Sequence, residues 1–96
     1  MPVIQKNEPK DLMNIGPETL EYLKLLNIET IEQLSTEDPD HLYLELNQLT
    51  ETQHEYRVWD IFAALIDEAK NGKQMPWWEW TKVRKRRLRE GSFCAD

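Results

Sequence analysis

Six cations crowd the segment Thr81-Lys82-Val83-Arg84-Lys85-Arg86-Arg87-Leu88-Arg89-Glu90. As a helix, it places Lys82, Lys85, Arg86 and Arg89 at i, i+3, i+4 and i+7, on one face, with Arg84 and Arg87 flanking them. Such a face can follow a row of phosphates, each contact releasing a condensed counterion. The plainer alternatives are a solvated helix or one docked on an acidic surface. A second place for an anion is the turn Asn14-Ile15-Gly16-Pro17. Gly16 permits a positive φ or a close backbone approach, and Asn14 is the next most tolerant residue for a left-handed conformation. Pro17 suits the first position of a helix. The amides of Glu18 and Thr19 then lie at a helix N-terminus, where an anion is favoured. Gly16 and Thr19 are therefore the candidate phosphate contacts of the turn, and Lys82, Arg84, Lys85, Arg86 and Arg89 those of the basic helix.

Other chemistry finds little support. His41 stands among Asp38, Asp40 and Glu45, and His54 near Glu51 and Glu55. No Cys or His is spaced to complete a closed zinc set, so both read as surface histidines and no metal or other cofactor is expected. Cys94 has no second cysteine to pair with, as suits a reducing cytoplasm. No Ser–His–Asp logic, Cys–His pair or Walker-type loop is present, and no catalysis is expected. Trp77, Trp78 and Trp80 allow two readings. They could stack on unpaired bases or lay large apolar faces over the domain. At least two of the three are expected to pack.

The elements that must position these residues all read as helices. A short one spans Pro9 to Met13 and a second Pro17 to Leu26, with Leu12, Ile15, Leu20, Leu23 and Leu26 clamping the pair. Thr30 and Gln33 form a capping box for a third. Asp38-Pro39 caps and starts a fourth, running to about Gln48, with Leu42, Tyr43, Leu46 and Leu49 buried. Thr52 and Glu55 offer another capping box before a fifth, from about Gln53 to Lys70. Its Val58, Ile61, Phe62 and Leu65 share a face that Trp59, Ala63 and Ile66 widen, so it belongs at the centre. Asn71-Gly72 stops it, and Pro76 starts the last helix. No strand-like alternation appears. The 96 residues make one small domain, with no apolar run that could span a bilayer and no signal-peptide core at the N-terminus.

Leu12-x-x-Ile15-Gly16-Pro17, with a leucine six residues on at Leu23, resembles the helix-hairpin-helix motif. The stretches LNIETIEQL, EDPDHLYLEL, RVWDIFAALIDEA and PWWEWTK carry the resemblance further. Over about Pro9 to Lys82 the chain is similar to a bacterial pathogenicity-locus family, often labelled mitomycin-resistance proteins, and to the C-terminal domain of the competence regulator TfoX. The resemblance implies an all-α fold: a small helix-hairpin-helix (SAM-like) bundle of five to six helices, here with a basic C-terminal helix. It also implies a DNA-related role. Two residues depart from the pattern. Asn14 stands where the family usually has a glycine. Glu18 stands where a Lys or Arg often touches phosphate, and its carboxylate repels an anion there.

Charge divides the chain at about the same place as the resemblance. Residues 1–80 carry 6 basic and 16 acidic side chains, and residues 81–96 carry 6 and 2. The expected organisation is a helix-hairpin-helix domain over 1–80 and a basic extension over 81–96. Two functions follow. One is a non-catalytic, cytoplasmic DNA-binding accessory protein that contacts backbone weakly and without sequence preference. The other is a protein–protein interaction module built on the same scaffold. Neither a membrane nor a small-molecule substrate is an expected partner.

Overall fold

The structure is a computed structural model and describes residues 9–91; Cys94 lies outside them. The described residues form an all-helical bundle. A 3-10 turn at Pro9–Asp11 leads into α1 (Pro17–Leu25), α2 (Ile31–Ser35), α3 (Pro39–Thr50), α4 (Tyr56–Asn71) and α5 (Trp77–Arg89). The first arm of the expected hairpin is thus a single 3-10 turn, closed by the Leu12 amide donating to the Pro9 carbonyl at 3.0 Å.

Capping chemistry sets most boundaries. Thr30 accepts from the Gln33 amide at 3.0 Å, and the Gln33 side chain accepts from the Thr30 amide at 3.1 Å, so the capping box starting α2 is complete. Thr30→Ala should cost about 1 kcal/mol, read as a lowered urea midpoint at unchanged slope. Asp38 caps α3 through the Asp40 amide at 2.8 Å. Gly72, at φ 74°, ends α4 in the left-handed conformation that glycine adopts most readily.

The Thr52–Glu55 box does not form, and α4 begins only at Tyr56, with Glu55 making no side-chain cap. The intervening residues close α3 instead. Glu51 turns left-handed at φ 53°, and the Thr52 amide donates back to the Asn47 carbonyl at 3.1 Å. The Asn47 side chain accepts from the His54 amide at 2.9 Å, and the Tyr43 hydroxyl donates to the His54 carbonyl. His54 is consequently half-buried: it meets Thr50 Oγ1 at 2.9 Å and the Tyr22 ring edge-on at 5.1 Å. Leu49 is a second correction. It is 54% exposed, because Thr50 takes the inward side of that last turn, its hydroxyl donating to the Leu46 carbonyl at 2.9 Å.

The central position of α4 follows from its stripe. Val58, Trp59, Phe62, Ala63, Ala64, Leu65 and Ile66 are all buried, and α2, α3 and α5 each pack on this helix. Leu12, Leu23, Leu26, Ile28, Leu34, Leu42, Tyr43 and Leu46 complete the core.

Candidate nucleic-acid interface

A helix packed on a core shows one side inward and one outward, and the spacing of α5 determines which residues take each. Trp80 and Val83 pack on the core cluster. Arg84 and Arg87 share their stripe at i+4 and i+7 from Trp80, so both arginines face the body. On the other side, Lys82, Lys85, Arg86 and Arg89 are all exposed. Lys82 makes a surface pair with Glu79 at 3.3 Å, while Lys85, Arg86 and Arg89 have no ion-pair partner among the described residues. The four cations read from the sequence as one face therefore do form one exposed face.

Arg84 does not belong to it. Its Nε and Nη2 donate to the two oxygens of Asp60 at 2.8 and 3.2 Å, and Thr81 Oγ1 donates to the same carboxylate at 2.6 Å. Asp60 is fully buried within α4. The guanidinium also lies over the Tyr56 ring at 5.4 Å. A buried carboxylate needs a charged partner, and that demand turns Arg84 inward, away from any phosphate. Arg87 makes the parallel contact with α3. Its Nη1 and Nη2 donate to Asp40 at 3.2 and 2.9 Å, beside the Trp59 indole N–H, which reaches the same carboxylate at 2.7 Å. The Arg87 guanidinium stacks on Trp59 at 5.5 Å. The expected boundary between 80 and 81 falls inside α5, and the inner face of this helix is part of the bundle.

The turn residues are placed differently from the expectation. Gly16 is extended, at φ −118° and ψ 175°, and a Cβ there would meet nothing within 4 Å. The left-handed residue is Asn14, at φ 72°. Its side chain spans from the turn to the start of α5, donating to the Met75 carbonyl at 2.8 Å and accepting from the Trp77 amide at 3.0 Å. The residue that departs from the family's glycine thus satisfies an otherwise orphaned amide at the first turn of α5. Glu68, buried in α4, holds the turn from below by accepting from the Met13 amide at 2.8 Å and from Gln74 at 3.1 Å. Thr19 is buried at 6% exposure, so it is withdrawn from any phosphate, while Glu18 remains exposed. Burial, and then the Glu18 carboxylate beside it, raises the Tyr22 phenol above its ordinary value, leaving it a neutral hydroxyl at pH 7.

Of the three tryptophans, Trp80 packs on the core and Trp77 is part-buried, but Trp78 is 56% exposed. Trp78 shares a cleft beside the turn with Gly16, Thr19, Arg57, Ile61 and Trp77. Nothing in the sequence points to Arg57 here, and Trp78 is the exposed one of the three tryptophans that could either stack on bases or pack. Spacing alone would have added Trp78, which stands four residues before Lys82.

The pathogenicity-locus family profile matches residues 5–86, from ahead of the Asn14 turn into the last turn of α5. The chain belongs to the pathogenicity-locus family. Within it, the chain is similar to the mitomycin resistance protein McrB of Streptomyces lavendulae, 30% identical over 77 residues that cover 80% of this chain and 73% of that protein. No solved structure gives a significant match. The family match runs through Asp40, Asp60 and Arg84 and ends at Arg86, short of Arg87 and Arg89. Among the described residues, no helix is long and apolar enough to cross a membrane.

Proposed function

We propose that this protein is a non-catalytic accessory protein that binds DNA weakly and without regard to sequence, through the outer face of α5. The observation that carries the reading is the sorting of cations on that helix. Arg84 and Arg87 fasten it to Asp60 and Asp40, while Lys82, Lys85, Arg86 and Arg89 stand exposed on the opposite side. A row of cations on a packed helix needs no backbone ordering to meet phosphates. The Asn14–Gly16 turn enters the proposal as a reduced helix-hairpin-helix that serves as scaffold: it seats α5, and Glu18 keeps anions away from its own helix N-terminus. The name of the Streptomyces relative attaches mitomycin resistance to that protein; for this chain the proposal is the binding step alone.

Fluorescence anisotropy of labelled DNA over a salt series tests it. Four phosphate contacts give a slope of log affinity against log salt of about −3.6 for duplex or about −2.8 for single strands. Absent binding at low salt would overturn the reading and favour a protein partner, to be sought by pull-down with wild-type and Lys85→Glu/Arg86→Glu baits.

A further inference from the structure

The outer stripe of α5 begins before its first cation. Trp78 precedes Lys82, Lys85, Arg86 and Arg89 by four, seven, eight and eleven residues, intervals that keep all five on one face about 16 Å long. The indole is 56% exposed, and Trp77 braces it edge-on, with ring centroids 5.8 Å apart at 82°. At its far side Trp78 opens onto the cleft beside the turn, where Arg57 lies over Trp77 at 5.9 Å. A line of cations ending on a braced, exposed indole has the two parts that recognise an unpaired strand: charge that tracks the backbone and an aromatic face on which a base stacks.

We infer, resting on the nucleic-acid reading above, that α5 binds single-stranded DNA in preference to duplex, with Trp78 stacking one base. A duplex keeps its bases stacked on each other and offers no π-face to this indole. The width of the stripe argues the same way. It is a single helix face, with Glu79 and Glu90 at its two ends and a strongly acidic body behind it. One strand lies along such a stripe, whereas a duplex brings a second phosphate row toward a body of net negative charge. An acidic peptide matches the cations but leaves Trp78 without a partner.

The test uses the full chain and three fluorescent probes: an oligothymidylate of about twenty nucleotides, an abasic strand of the same length, and a duplex. Wild type should hold the oligothymidylate about tenfold more tightly than the duplex. Trp78→Ala should remove about tenfold on the oligothymidylate and leave the abasic strand unchanged; Trp78→Phe should restore most of the loss. Equal affinity for duplex and oligothymidylate, or an oligothymidylate affinity untouched by Trp78→Ala, would overturn the stacking assignment. Where that failure accompanies salt-sensitive duplex binding, the DNA-binding reading stands and only the strand preference falls. Where no probe binds at low salt, both fall together.

Discussion

Replacing Asp60 with alanine will destabilise the fold by about 3–5 kcal/mol. The substitution removes a fully buried carboxylate and leaves Arg84, whose side chain is only 11% exposed, without its counter-charge. It also strands the Thr81 hydroxyl, now bonded to Asp60 at 2.6 Å. For a domain of this size the loss lowers Tm by roughly 15–30 °C. Urea denaturation followed by circular dichroism reads it directly. The paired change Asp60→Leu with Arg84→Met should recover most of the stability, because well-packed apolar side chains replace a buried ion pair at little net cost. A loss below about 1 kcal/mol in Asp60→Ala would mean that α5 is not held to α4 by this contact.

The largest effect on binding should come from Lys85→Glu/Arg86→Glu. Both side chains are exposed, so the fold should survive. Two attractive contacts become repulsive, and DNA affinity at low salt should drop about a hundredfold or more, with the salt slope for single strands falling to about −1.4 or shallower. The control is Lys70→Glu/Lys73→Glu, which changes net charge equally at exposed positions off α5. That variant should stay within about threefold of wild type. Equal losses in the two variants would show that total charge matters and the α5 face does not. No loss in either would end the DNA reading.

The helices were legible because their signals are local. Thr30 with Gln33, Asp38 before Pro39, and Gly72 after Asn71 act on backbone groups within a turn of themselves, and each marks a boundary where it was read. The Thr52–Glu55 pattern misled because its backbone was already engaged by Asn47 and Tyr43, residues of the preceding helix. The candidate face of α5 was legible in part. Spacing grouped Lys82, Lys85, Arg86 and Arg89 correctly as a face, but spacing alone does not say which side of a helix meets the core. The discriminating signal lay in the mixture of types. Trp80 and Val83 mark the inner stripe on which Arg84 and Arg87 also stand, and Asp60 interrupts the most apolar helix, announcing that some cation must come to it. The partner of Asn14 was not legible, since Met75 and Trp77 lie 61 and 63 residues away and no short-range pattern connects them.

Those distant bonds also govern when the molecule becomes complete. The Asn14 turn finds its partners only at Met75 and Trp77, and its lower support at Glu68. Loops of this length close late, after the local helices have formed. During synthesis the turn precedes Met75 and Trp77 by 61 and 63 residues, so these bonds can form only once that segment has emerged. The cationic face of α5 is therefore built after the turn that this helix locks. A stalled chain lacking α5 lacks both that face and the Trp77 amide that the Asn14 side chain accepts from, so loss of this helix reaches back to the Asn14 turn.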